Sequence, residues 1–158
     1  MQNNRKPIIL VDADACPVKE EISRVSHTYK IDVCYVASYS HVMTNQTEGN
    51  WVYVDDEKES ADLYILNHAK KDDVVVTQDI GLASMLVSKN VYVLTPRGKQ
   101  YEESEMELSL HMRFLSAKER RKGNYSKGPK AFSMKDRERF VQSLKKTLSK
   151  IAGISELR

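Results

Sequence analysis

Cysteine is scarce in this 158-residue chain, which has only Cys16 and Cys34. The two form no C-x-x-C pair, and no pair of histidines accompanies them at zinc-ligand spacing, which excludes a disulfide scaffold and a zinc ribbon. Both read as reduced thiols. No apolar run is long enough to span a bilayer, because the first one, Ile8 to Val11, stops at Asp12. The expectation is a cytoplasmic protein with no signal peptide and no membrane partner. Internal repeats and low-complexity tracts are also lacking. An aromatic content of 8% and a hydrophobic content of 41% belong to a globular chain and not to a disordered one. The length suits a single domain, read here as a core over residues 7–95 and a basic helical part over residues 96–158.

Net charge is small, at +3, but its sign is unevenly spread. Glu48 to Asp79 is acidic and Arg113 to Lys146 is basic. Such asymmetry fits a polyanionic partner, and it also fits an ordinary lysine-rich helical surface. Charge alone leaves both readings open.

What is present is organised around Pro7 to Glu21, PIILVDADACPVKEE. The short apolar run suits a strand buried on both faces, and Pro17 suits the first turn of a helix. Asp12 and Asp14 then lie in the turn between them. The helix carries Val18, Ile22, Val25 and Tyr29 at helical spacing. Further strands are predicted over Ile31 to Ala37, Trp51 to Val54, Val74 to Thr77 and Val91 to Leu94, with Ser38 to Asn50 as a polar loop. Ser60 is the predicted N-cap of a helix that places Asp62 in its first turn, and a short helix spans Ile80 to Ser88. Alternating strands and helices predict an α/β fold: a mostly parallel sheet of about five strands with helices on both faces.

The last third changes character. Thr95-Pro96-Arg97-Gly98 reads as a turn, and Ser104-x-x-Glu107 as a capping box before Leu108, Met112 and Leu115. A basic loop follows, with Gly123 and Gly128-Pro129. Ser133 and Asp136 then cap a final helix whose apolar face is Phe140, Val141, Leu144, Leu148 and Ile151, with Gly153 placed for its C-terminal end.

Four acids stand where an open α/β sheet does chemistry, outside the carboxyl ends of its strands. These are Asp12 and Asp14 after strand one, Asp62 in a first helical turn, and Asp79 after strand four. Two like charges 4 Å apart repel by roughly 4 kcal/mol at an effective dielectric near 20. A converging set therefore calls for a cation, and hard oxygen donors without His or Cys point to Mg²⁺ or Mn²⁺. Such an ion beside a basic surface suits phosphodiester hydrolysis. Each acid alone also has a structural explanation, as a turn former, a helix cap or a partner of the helix dipole. The D-x-D pair is the hardest to explain that way, because adjacent like charges bring no structural benefit.

VDADACPVKEE, ESADLYI, VVTQDIGLA, TPRG and LSAKERRKGNYSKGPKAF, in this order over nearly the whole chain, resemble the YaiI/YqxD family of uncharacterised bacterial proteins. That family is similar to the PIN-like nuclease superfamily. The resemblance implies a PIN-like domain with C-terminal helices, and metal-dependent cleavage of RNA or, in some members, DNA. On it, Asp12, Asp62 and Asp79 match the acids of the first strand, the mid-chain helix and the fourth strand. Gly81 stands where many relatives of that superfamily have a further acid, a gap that Asp14 is placed to fill. Catalytic and metal roles are thus expected of Asp12, Asp14, Asp62 and Asp79, and contacts to nucleic acid, chiefly RNA, of Arg97, Arg120, Arg121, Lys122, Lys127 and Lys130.

Two other classes compete. A non-catalytic nucleic-acid-binding module would use the same basic residues, with Phe132 stacked on a base or else stapled to the last helix. A phosphatase of the haloacid-dehalogenase type would use Asp12 as nucleophile and Asp14 as acid. Against the phosphatase, Cys16 replaces the usual Thr, and no acidic pair follows a lysine downstream of Thr77 at the end of an apolar strand. Cys16 itself lacks a histidine partner in its motif and reads as a small buried residue.

Overall fold

The computed structural model describes residues 5–42, 47–57, 59–103 and 131–156. Its sheet has six strands in the order β3-β2-β1-β4-β5-β6, comprising β1 (Ile8–Asp12), β2 (Asp32–Ser38), β3 (Asn50–Val54), β4 (Val74–Val76), β5 (Tyr92–Leu94) and β6 (Gln100–Tyr101). The first five are parallel, and β6 returns antiparallel to β5. Helices α1 (Lys19–Tyr29), α2 (Ser60–His68), α3 (Ile80–Ser88) and α4 (Met134–Glu156) cover the sheet. This is the α/β architecture expected of a PIN-like fold.

Side-chain alternation along the strands sorts the core into two layers. Ile9, Val11, Val33, Tyr35, Val74 and Val76 pack with Ile22 and Val25 of α1 and with Phe140, Leu144 and Leu148 of α4. Leu10, Val36, Val75 and Val93 pack on the opposite face with Ile65 of α2 and Leu82 and Leu86 of α3. Central β1 is therefore apolar on both faces, as its uninterrupted run predicts. The winding reverses between β1 and β4, which opens a crevice at their carboxyl ends.

Strands β2 to β5 differ from the sequence expectation by a residue at one or both ends, Tyr39–His41 of the expected loop forms a 3-10 turn, and there are four further differences. Strand β6 is additional: a turn in which Gly98 N–H donates to Thr95 O, and Thr95 N–H to Lys99 O, folds the chain back along β5. Gly98 has φ +91°, and a Cβ there would lie 2.7 Å from the backbone of Arg139, so this turn needs glycine to let α4 pack. Helix α1 begins at Lys19 and not at Pro17, because a 3-10 turn over Ala13–Ala15 is inserted first. Ser60 is the first helical residue of α2; Glu59 holds the cap position, and no side chain caps it. Helix α4 runs through Gly153 to Glu156, with no left-handed turn at the glycine. The predicted capping box at Ser104 and the basic loop lie outside the described residues.

Two polar clamps close the fold. Ser133 and Asp136 form the expected reciprocal cap: Asp136 N–H donates to Ser133 Oγ, and Ser133 N–H to Asp136 Oδ2. Those bonds, chiefly the backbone one, hold the Asp136 carboxyl below the usual range. The second clamp centres on Asp73, which is fully buried. It accepts both guanidinium nitrogens of Arg5, at 2.9 and 2.6 Å, and the backbone N–H groups of Ile8 and Lys70. One carboxylate thus ties the entry of β1 to the loop before β4. Asp73→Ala strands two amide donors, and the expected loss of stability is about 3 kcal/mol. Urea denaturation measures it, and a loss below about 1 kcal/mol would mean that water replaces the carboxylate.

Candidate functional site

The crevice gathers side chains from β1, β4, α2 and α3. Asp12 ends β1, where the apolar layers stop. Thr77 follows β4 and is buried; its Oγ1 donates to Asp12 Oδ2 at 3.1 Å and accepts from Asp79 N–H at 3.1 Å. Asp79 caps α3, its Oδ1 accepting from Leu82 N–H at 3.0 Å. Asp62 stands in the first turn of α2. Gln78 Nε2 donates to Ala15 O, binding the loop after β4 to the turn after β1.

Electrostatics show which acids converge. Burial pushes the Asp12 carboxyl up, the Thr77 hydrogen bond opposes this, and the charges of Asp14 and Asp79 add to it. Asp62 is pushed up to about 6, first by burial and then by the charges of Asp79 and Asp12, with a hydrogen bond to Asp79 and the charge of Glu59 adding to these. When protonated, Asp62 can donate to Asp79. Tyr101 is raised by burial and by Asp79, which brings the β6 edge to the same crevice. Asp12, Asp62 and Asp79 are therefore electrostatically linked across three separate elements, and Asp14 is linked to them through Asp12.

Asp14 has a different environment. It accepts Ser38 N–H at 3.1 and 3.2 Å and lies 3.2 Å from His41 Nδ1, so it faces the end of β2. Ser38 Oγ lies 2.8 Å from the same ring nitrogen. Among the described residues, no group of three or more His, Cys, Asp or Glu side chains stands close enough to hold a metal ion. The donor chemistry of Asp12, Asp62 and Asp79 suits a hard cation, but their carboxylates are turned to Thr77, to Leu82 N–H and to one another.

Arg97, expected to contact nucleic acid, bonds Asp136 at 2.8 Å and lies 5.5 Å from the centroid of the Phe132 ring. Arg137 covers the same ring at 5.0 Å and also bonds Glu21 and Pro17 O. Phe132 packs against the core beside α4, which is the staple role. Arg120, Arg121, Lys122, Lys127 and Lys130 lie outside the described residues. Both cysteines are free thiols, and burial pushes Cys16 up to about 11, so it is protonated at neutral pH and unsuited to nucleophilic attack. Among the described residues, no helix is long and apolar enough to cross a membrane.

Sequence reasoning missed Thr77 as the link between two acids, and His41 as the partner of Asp14. A hydroxyl ending an apolar strand opposite a carboxylate was the available signal for Thr77. None marked His41, whose partner is 27 positions away in sequence.

Raising Asp62 has a consequence for stability. Between pH 3.8 and about 6 the folded chain keeps a proton that the unfolded chain has released. Stability therefore falls as pH rises through this window, and the loss is complete above it. Asp62→Asn is expected to be more stable than the parent near neutral pH, by about 1 kcal/mol after solvent screening, or about 3 °C in Tm. The difference should vanish near pH 4. Thermal unfolding at both pH values checks this, and equal melting at both would remove the like-charge account.

Relatives share this chain nearly end to end. UPF0178 protein Bcer98_3021 of Bacillus cytotoxicus is 53% identical over 154 residues, covering 98% of this chain and 99% of its own. UPF0178 protein RBAM_023530 of Bacillus velezensis is 51% identical over 154 residues, covering 97% and 92%. UPF0178 protein Lm4b_01466 of Listeria monocytogenes is 53% identical over 138 residues, covering 87% and 94%. No solved structure matches the chain. The family model described as uncharacterized BCR, YaiI/YqxD family, matches residues 10–150, and the chain belongs to that family.

Proposed function

We propose that this protein is a divalent-metal-dependent nuclease that hydrolyses phosphodiester bonds, with RNA as substrate. One observation carries the reading: Asp12, Asp62 and Asp79 come together at the crevice between β1 and β4, where the charges of Asp79 and Asp12 push Asp62 up and that of Asp79 adds to the rise of Asp12. Asp79 caps α3 and Asp12 accepts from Thr77, but the charges of both act against an ionised Asp62. A Mg²⁺ or Mn²⁺ ion would relieve the repulsion, taking the place of the Asp62 proton.

Asp12, Asp62 and Asp79 would hold the ion only after their carboxylates turn toward it, since as they stand they are not grouped closely enough to hold one. Bound there, it would lower the pKa of a water and neutralise charge on the phosphate. Thr77 fixes Asp12 and the backbone of Asp79 together, so it positions two of the three carboxylates. Asp14, committed to Ser38 and His41, holds the turn after β2 beside them. The basic residues Arg120, Arg121, Lys122, Lys127 and Lys130 would neutralise substrate phosphates, which makes binding salt-dependent. The phosphatase reading is weaker, because Cys16 stands where that group has Thr.

Calorimetric titration of Mn²⁺ into the metal-free protein is expected to show saturable binding, lost in Asp12→Asn and Asp79→Asn variants that remain folded by circular dichroism. Affinity should fall as pH drops below about 6, where Asp62 takes up its proton. Single-stranded RNA should be cut only with metal present, and Asp12→Asn should slow cutting by at least about a hundredfold. Salt-sensitive RNA binding without any cutting would instead establish the binding module.

A further inference from the structure

Beside the carboxylates, four aromatic rings form a ladder that climbs from the core to the surface. Tyr35 of β2 is fully buried and stacks on Trp51 of β3, with centroids 4.7 Å apart. Trp51 stacks on Tyr53 at 6.0 Å, and Tyr53 on Tyr39 at 6.4 Å, with interplanar angles of 13° and 25°. Trp51 and Tyr53 are half-buried, whereas Tyr39 is 57% exposed. The ladder ends in an aromatic ring presented to solvent.

Tyr39 opens the 3-10 turn Tyr39–His41, directly after β2. That turn is fixed at three points. Ser38 N–H, just before it, donates to Asp14; Ser40 N–H donates to Asp56 Oδ1 at 3.0 Å; and Ser38 Oγ meets His41 Nδ1. Asp12 pairs with Val36 in the sheet register, so the turn leaves β2 two residues beyond the level of Asp12. The ring is thus held on a rigid support at the sheet end that carries the acids. An isolated exposed tyrosine needs no explanation. One that terminates a stacked ladder on a pinned turn is a preorganised π-surface.

We propose that Tyr39, backed by Tyr53, is a stacking subsite for one unpaired base of a single-stranded nucleic acid. Every base has a π-face, so stacking takes any of the four, but only when the base is not already stacked in a duplex. Asp14 and Asp56 flank the turn, so phosphates on this side require a cation or the chain's basic residues as counter-charge. The inference rests on the nuclease reading only for where the scissile bond lies; the stacking surface stands apart from it.

The test uses a short single-stranded oligonucleotide carrying 2-aminopurine, in ribose and deoxyribose forms, and the same sequence annealed to its complement. Binding is followed by fluorescence quenching and anisotropy, with Mg²⁺ and again in chelator. The wild type should quench the single strands and bind the duplex more weakly. Tyr39→Ala should weaken single-strand binding by about tenfold or more, and Tyr39→Phe should stay within about twofold of wild type. Similar losses with both sugars would assign the contact to the base. Wild-type affinity in Tyr39→Ala, equal binding of duplex and single strand, or no binding in either medium would overturn the proposal. Tyr39-dependent binding without cleavage would sink the nuclease reading and support the stacking subsite.

Discussion

Strand β1 has apolar layers on both faces, so the first place along it where a charge can stand is its carboxyl end. Asp12 occupies that place, and the strand order reverses next to it. On one side the chain continues to β2 through α1; on the other, β4 arrives through α2 and leaves through α3. Elements that start or finish at this end therefore bring their terminal residues to a single crevice. Asp62 at the start of α2 and Asp79 at the start of α3 reach it for that topological reason. The Asp73 clamp and the capped N-terminus of α4 hold the layers against which this end is fixed.

Four acids of one residue type have four environments. Asp79 gains the helix N-terminus and the Leu82 amide, so it is the best accommodated. Asp12 has a single hydroxyl donor against burial. Asp62 lies against the charges of Asp79 and Asp12 and holds its proton up to about pH 6. Asp14 turns away to an amide and a histidine on the neighbouring strand's turn. A polypeptide could dispose of this repulsion by replacing one acid with an amide.

The β2 side of the crevice carries different chemistry from the β4 side. At β4 the groups are carboxylates and a hydroxyl, whereas after β2 they are aromatic faces on a turn anchored through Asp14. Arg97, Arg137 and Phe132 take a third role, locking α4 to the β5–β6 turn and to α1. Arg97, assigned by sequence reasoning to nucleic acid, is also paired with Asp136.

The sequence by itself determined the strands, their parallel α/β arrangement, the two-faced burial of β1, the reciprocal cap at Ser133 and Asp136, and the family. These are local or periodic signals: an apolar run, a helical repeat, a cap three residues from its partner. It also placed Asp12, Asp62 and Asp79 at element ends that the reversal of strand order brings together. Only the tertiary structure decided that β6 closes the sheet through Gly98, that Thr77 bridges two acids, that Asp14 pairs with His41 while Asp62 is raised by Asp79 and Asp12, and that four aromatic rings align. Those contacts join residues far apart along the chain, and their strength depends on burial and distance, which no pattern of neighbouring residues encodes.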